Sequence, residues 1–257
     1  MNTFAGVSAL LDDHRLAANI ATAAGGALNA IRASGVLAGK KLGAIGDAMA
    51  NEMIARMLAY ARPDDGILSE ESAPDPKRLC CDRVWIIDPL DGTREYGEHH
   101  EGRDDWAVHV ALTVGGKPGA CAVALPAMGV TYTTGTPPAL PEAPPGRLKL
   151  LVSRTRAPEL AQSVAQRLDA ELVPMGSAGA KAMAVLRGEA HAYLHSGGQY
   201  EWDSCAPVGV ALAAGLHASR IDGSPCIYNG PDVAMPDLLI CRREVAETIL
   251  AAIAASQ

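Results

Sequence analysis

The run WIIDPLDGTREY sets Asp88 and Asp91 three positions apart, between an apolar strand-like stretch and the pair Gly92-Thr93. Carboxylates at the end of a buried element are costly unless something positive sits among them. Other acids stand at the edges of apolar pieces: Asp47 in GDAMAN, Glu70 in ILSEES and Asp203 in YEWDSCAP. Glu70, Asp88, Asp91 and Asp203, brought into one partly dry pocket, would repel one another strongly. Hard divalent cations would relieve that repulsion, and an all-oxygen ligand set favours Mg2+ or Mn2+ over zinc. Pro89 restrains the backbone, so the two aspartates can converge while the Leu90 carbonyl turns toward the same point. Gly92 and Thr93 offer backbone N–H groups at an expected helix start, where an anion can be cradled. Cations beside an anion cradle point to phosphate-ester chemistry. Taken singly, each piece has a plainer reading: a solvated D-x-x-D loop, an acidic helix start at SEES, a helix cap at Trp202-Asp203. Their joint occurrence in this order carries the inference.

The elements that must position these acids follow from composition and periodicity. The chain has 257 residues, 49% of them hydrophobic and a single Phe, Phe4, so it can build a large core from small, close-packed side chains. A net charge of -7 excludes nonspecific nucleic-acid binding, which needs a basic face. The start MNTFAGVSALLDDHR lacks a cationic region and soon meets acids, so it does not read as a signal peptide. No apolar run approaches the ~20 residues that span a bilayer, and the expectation is a cytoplasmic protein without membrane contact. Six cysteines show no CxxC spacing and are expected reduced and structural.

Apolar residues recur at helical spacing over about 4–37 and 46–60, the second helix with a stripe of Met49, Met53, Ile54 and Met57 that reads as core filler. Strands are expected at 67–69, 83–87, 106–114, 120–125 and 130–133; alternation in the third predicts a half-buried antiparallel strand. The tract TTGTPPALPEAPPGR is a stiff surface connection and the best candidate boundary. It divides an N-terminal α+β part, 1–133, carrying most metal-ligand candidates, from a C-terminal α/β part, 148–257, with 134–147 as the connection. Beyond it the rhythm is β-α-β-α: strands at 148–153, 171–174, 190–195 and 238–241, helices at 158–168, 178–187, from about 202, and at 245–254.

Together EES, WIIDPLDGT, WDSCAP and the downstream Ala213–Gly215 resemble the inositol monophosphatase superfamily, Mg2+-dependent, lithium-sensitive phosphomonoesterases. The pieces RDDWAVHVAL and GSAGAKAMAV bring the chain closer to the bacterial CysQ-type branch, the 3′(2′),5′-bisphosphate nucleotidases. The resemblance implies a layered αβαβα sandwich of the inositol monophosphatase and fructose-1,6-bisphosphatase type. It implies that Glu70, Asp88 and the Leu90 carbonyl hold a first metal, and Asp88, Asp91 and Asp203 a second, with a third Mg2+ near Glu70. Asp47 would pair with Thr93 to orient and deprotonate the attacking water, and Gly92 and Thr93 would contact the departing phosphate. One departure is LGAIGD, where many relatives carry D-x-V-T-x-x-D, so Asp47 rests on one residue and its spacing. Lys40 and Lys41 read first as a surface pair and second as phosphate neutralisers.

Ser196 stands where inositol monophosphatases place an acid for a sugar hydroxyl, which disfavours inositol phosphate. Nucleotidase relatives hold a second phosphate with groups from the second half, for which Ser177, Lys181 and Arg156 are the candidates. His195 replaces an expected Arg, and a neutral imidazole is the weaker anion ligand. The expected reaction is removal of the 3′-phosphate of 3′-phosphoadenosine 5′-phosphate to give AMP, clearing a by-product of sulfate assimilation. Inositol phosphate or fructose 1,6-bisphosphate is the alternative substrate. Rival classes are a haloacid-dehalogenase-type phosphatase, which needs D-x-D rather than D-x-x-D, and an inactive Mg2+- or nucleotide-binding regulator. The expected partner is a small phosphate ester, with the chain a monomer or homodimer. His99 and His100 read as exposed loop residues.

Overall fold

A computed structural model of the chain describes residues 12–98, 103–155 and 157–257. Two long helices come first: α1 (Asp13–Ala33), started by the Asp12 side chain accepting from Arg15 N at 2.7 Å, and α2 (Gly39–Ala61). The expected start of the first helix lies outside the described residues. A five-stranded sheet follows in spatial order β1 (Gly66–Ser69), β2 (Arg83–Asp91), β3 (Ala107–Val114), β4 (Lys117–Leu125) and β5 (Val130–Thr133), with a short helix α3 (Thr93–Gly97) after β2. Among the described residues of this sheet, only the β1–β2 pair is parallel. Residues 134–147 carry no helix or strand and lead to a second five-stranded sheet.

That sheet holds β6 (Lys149–Ser153), β7 (Glu171–Met175), β8 (Ala192–Tyr200), β9 (His217–Ser219) and β10 (Ala234–Cys241), in spatial order β7-β6-β8-β10-β9. Its helices are α4 (Glu159–Leu168), α5 (Ala178–Leu186), α6 (Glu201–Ala213) and α7 (Arg243–Ala254). The three-residue strand β9 has too little sequence to show a period, and patterning missed it.

β2 shows why five layers form. Successive side chains of a strand point to opposite faces, and here both faces are apolar. Trp85 and Ile87 join Leu16, Ile20, Leu28, Ile54 and Leu58 of α1 and α2. Val84 and Ile86 join a second core with Met183 of α5, Val208 and Val210 of α6, and Tyr193 and Ile240 of the second sheet. Leu150, Leu194 and Leu239 on that sheet's far face meet Val164 of α4 and Ile249 of α7. The order is therefore helices, sheet, helices, sheet, helices, the expected αβαβα sandwich. Each fully buried Leu or Ile contributes roughly 1.5–3 kcal/mol relative to exposure.

Two expectations change. β3 is buried from Ala107 to Thr113 rather than half-buried, because helices cover both faces and its small residues fit the second core. In α2 the core line is Leu42, Gly46, Ala50, Ile54 and Leu58, while Met49, Met53 and Met57 are only partly buried beside it. All six cysteines are free, four of them buried, where lost hydration pushes the thiols of Cys121 and Cys241 up to about 12. Among the described residues no helix is long and apolar enough to cross a membrane.

Candidate active site

In a regular strand, residues three apart face opposite ways. The β2–β3 ladder pairs Asp88 with His109 and then Asp91 with Ala107, three steps on one strand against two on the other. The extra residue at Pro89-Leu90 is a bulge that returns both aspartates to one side. Asp203, in the first turn of α6, joins them: ligand oxygens of Asp88, Asp91 and Asp203 lie within 4.8 Å of one another. Asp203 Oδ2 accepts from Tyr200 N at 2.7 Å, so the acid caps the helix that presents it.

Asp91 sits against a wall built to hold a negative charge. Its carboxylate accepts from Ser177 Oγ at 2.5 Å, Ala178 N at 3.1 Å and Gly179 N at 2.7 Å, all at the start of α5. His109 Nε2 lies 3.2 Å from Asp91 Oδ2. Burial alone would raise the Asp91 pKa, but the His109 imidazole, the Lys181 ammonium and the Ser177 hydroxyl outweigh it and hold the group at about 2. His109 is fully buried, and its Nδ1 lies 3.0 Å from the Trp202 carbonyl, one residue before Asp203. One imidazole thereby ties both halves of the acid cluster together. Any side chain at Gly179 would run into that imidazole.

Asp88 has the opposite surroundings. Among the described residues its one hydrogen-bond donor from the backbone is Leu90 N, at 3.1 Å. Burial, then repulsion from Asp91, Glu70 and Asp203, pushes its pKa well above the usual carboxylate range. Glu70 reaches Asp88 from the end of β1, and its carboxyl is raised to about 7 by lost hydration and then by Asp47 and Asp203. The Ser69 hydroxyl donates to Asn51 Oδ1 at 2.7 Å, bracing the SEES segment on α2. Asp203 is raised to about 6 by burial and Asp91. Acids whose ionisation is opposed by burial and by one another, and would be favoured by a divalent cation among them, fit a metal set.

Asp47 is brought to Thr93 by two glycines. A Cβ at Gly43 would meet Thr93 Cγ2 at 2.8 Å, and one at Gly46 would meet Tyr96 Cε1 at 2.8 Å, so α2 packs directly on α3. Thr93 Oγ1 is then 3.1 Å from both Asp47 Oδ2 and the Leu90 carbonyl. Asp47 Oδ1 is buried without a hydrogen-bond partner among the described residues, and burial followed by Glu71 raises the carboxyl to about 7. Gly92 adopts φ 90° just before α3, a conformation L-residues rarely take, with Asp105 O and Trp106 Cβ each 3.2 Å from where a Cβ would sit. A cavity of about 820 Å3 opens here, with Lys40, Asp47, Glu70, Glu71, Thr93 and Arg94 in its wall.

The groups expected to hold a second phosphate have other surroundings. Ser177 Oγ is taken by Asp91 and also accepts from Ala180 N at 2.9 Å. Lys181 is buried, and its Nζ donates to the carbonyls of Met175, Gly176 and Ser177 at 3.4, 3.0 and 2.7 Å. That ammonium is neither a solvated helix face nor a free phosphate ligand: an ammonium has three donors, and three carbonyls take them. His195 Nε2 lies 2.8 Å from the Gly197 carbonyl, and burial lowers its pKa, so the ring stays neutral. Arg156, His99 and His100 lie outside the described residues.

Residues 40–257 match the model of the inositol monophosphatase family. The chain belongs to that family. Among curated members, a 3′-phosphoadenosine 5′-phosphate phosphatase of Mycobacterium bovis is 55% identical over 221 residues, 83% of this chain and 82% of that protein. A protein of the same name from Mycobacterium leprae is 49% identical over 95% of this chain and 94% of its own length. The 3′(2′),5′-bisphosphate nucleotidase CysQ of Escherichia coli is 31% identical over 71% and 77%. In three dimensions, CysQ from Bacteroides thetaiotaomicron superposes with a TM-score of 0.76 at 23% identity, over 94% of this chain and 98% of that one, and supports the inositol monophosphatase fold.

Within that fold, patterning singled out Asp47, Glu70, Asp88, Asp91 and Asp203 but not His109. A lone histidine in an alternating strand gives no local sign of a partner 18 residues earlier and another 93 residues later. Asp105 escaped as well; its Oδ2 accepts from Gly176 N at 2.7 Å and its Oδ1 forms an ion pair with Arg103 Nε at 2.9 Å, fixing the turn that delivers α5 to Asp91.

Proposed function

We propose that this inositol monophosphatase family member is a Mg2+-dependent phosphomonoesterase that removes the 3′-phosphate of 3′-phosphoadenosine 5′-phosphate, releasing AMP and phosphate. The observation that carries the reading is the convergence of Asp88, Asp91 and Asp203 from distant segments, beside Glu70. The choice of ester is supported by the names of relatives at 49–55% identity.

Asp88, Asp91 and Asp203 would hold one cation, and Glu70, Asp88 and the Leu90 carbonyl another, with a third near Glu70 and Mn2+ as a substitute. When bound, such cations polarise phosphoryl oxygens and lower the pKa of the attacking water. Asp47 is the chain's proton acceptor, since a carboxyl at about 7 with a free Oδ1 can take a proton near neutral pH. Thr93 holds the other Asp47 oxygen and fixes the carboxylate plane. The N–H groups of Gly92 and Thr93 would contact the transferred phosphate, and Asp91 is held ionised by His109, Lys181 and Ser177. The second half of the chain thus supplies Asp203 and the α5 wall, while the first supplies the other acids.

The test is kcat/KM with Mg2+ on 3′-phosphoadenosine 5′-phosphate, inositol 1-phosphate and fructose 1,6-bisphosphate, measured side by side. The nucleotide gives the highest value. A lowest value for the nucleotide removes the substrate reading, and inactivity on all three favours a binding protein.

A further inference from the structure

In phosphoryl transfer the attacking and leaving oxygens lie roughly in line across the phosphorus. Asp47, Glu70 and Thr93, the groups assigned to the attacking water, are in the wall of the 820 Å3 cavity, which is built from residues 39–98 of the first half. The departing 3′-oxygen, with its ribose and base, then belongs on the other side of the acids. There the second half of the chain enters with α6, whose first turn brings Asp203 to within 4.8 Å of Asp88 and Asp91.

The same helix start carries an aromatic pair. Tyr200, the last residue of β8, stacks on Trp202, with ring centroids 4.9 Å apart and an interplanar angle of 19°. Tyr200 is 46% exposed and Trp202 8%, so Trp202 is the buried backing and Tyr200 the outer ring. Both are tied to the acids. Tyr200 N donates to Asp203 Oδ2 at 2.7 Å, which places the Tyr200 ring within one side-chain length of a metal-ligand candidate. The Trp202 carbonyl lies 3.0 Å from Nδ1 of His109, whose Nε2 lies 3.2 Å from Asp91 Oδ2. The neighbours of the outer ring on its sheet are small. Residues two apart on a strand share a face, and two before Tyr200 stands Gly198. The cross-strand partner of Tyr200 is Ala234, itself exposed. A Cβ on Gly197 or Gly198 would meet nothing within 4 Å among the described residues, so a flat ligand has room beside the ring.

We propose that Tyr200, backed by Trp202, is the platform on which the base of the nucleotide stacks while its 3′-phosphate sits at the acids. The proposal rests on the nucleotide reading of the reaction above and names the residue that favours a nucleotide over a sugar phosphate. A purine offers a flat π-face to an aromatic ring, and a sugar offers none. Stacking of this kind needs no hydrogen-bond readout, so the platform selects nucleotides as a class.

The experiment compares kcat/KM, with Mg2+, on 3′-phosphoadenosine 5′-phosphate and on methyl riboside 3,5-bisphosphate, which keeps both phosphates and lacks the base. The proteins are the wild type, Tyr200→Ala and Tyr200→Phe. Tyr200→Ala loses about tenfold on the nucleotide, chiefly through a higher KM, and stays within about twofold on the base-free ester. Tyr200→Phe keeps the wild-type preference, because a phenyl ring stacks without the hydroxyl. Both variants retain the backbone N–H that Asp203 accepts from, so damage to Asp203 would lower both esters together. Equal loss on both esters, an unchanged nucleotide value in Tyr200→Ala, or a Tyr200→Phe protein as weak as Tyr200→Ala overturns the platform while leaving the reaction intact. A wild-type protein that does not cleave the nucleotide overturns the reading of the reaction, and the platform with it.

Discussion

Asp88 and Asp91 are three residues apart on one bulged strand, yet they live in opposite surroundings. Behind Asp91 stand His109, Lys181, the Ser177 hydroxyl and two backbone N–H groups from α5, and its carboxylate stays ionised at about 2. Around Asp88 stand Glu70, Asp91, Asp203 and Asp47, and its carboxyl is driven upward. The protein neutralises one wall of the cleft with its own donors and leaves the other without them, where an external cation would supply the missing charge. A site built this way has one preorganised anchor and one side whose charge state would respond to a bound cation.

The sharpest break of this contrast is to remove each charge in turn. Both Asp88→Asn and Asp91→Asn lose on the order of a thousandfold in kcat, because each takes a ligand from the cation set. Their metal-free stabilities then diverge. Asp91→Asn leaves donors of Ser177, Gly179 and His109 facing an amide and costs about 1–3 kcal/mol. Asp88→Asn removes repulsion and melts at or above the wild-type temperature. Metal-free calorimetry on the pair decides, and equal destabilisation of both would erase the difference between the walls.

A smaller effect probes the anchor itself. His109→Asn loosens Asp91 and the segment before Asp203, and weakens Mn2+ affinity by about tenfold, as loss of a group that orients a metal ligand does. Isothermal titration with Mn2+ reads this without any substrate. An unchanged affinity in a folded His109→Asn protein would confine the imidazole to core filling.

Much of this was legible in the sequence, and the rest was not, for physical reasons. The strand at 130–133 and the α4 and α5 stretches follow local periodicity, and the acids announce themselves by ending apolar runs. What local pattern cannot carry is which face of an element meets which neighbour. β3 reads as half-buried because Ala107, His109, Ala111 and Thr113 look like a solvent face, when they meet a second helix layer. Lys181 reads as a phosphate ligand because GSAGAK places it near a helix start, but its stem folds back under that start. The Met stripe on α2 was displaced by a core line that small residues, Gly46 and Ala50, make possible.

The pH dependence of metal stabilisation tests the unneutralised wall most directly. Glu70, Asp47 and Asp203 have folded values of about 7, 7 and 6, above their ordinary 4.5, 3.8 and 3.8. Acids raised in this way bind more protons when folded, so the metal-free fold loses stability as pH rises from about 4 to 7. Mg2+ would bind the ionised form and restore that stability. Thermal melts with and without saturating Mg2+, at pH 5 and pH 8, should therefore show a larger Mg2+-induced rise in Tm at pH 8, and Asp88→Asn should lose most of that rise. A wild-type Tm at pH 8 that does not move with Mg2+ would contradict the account.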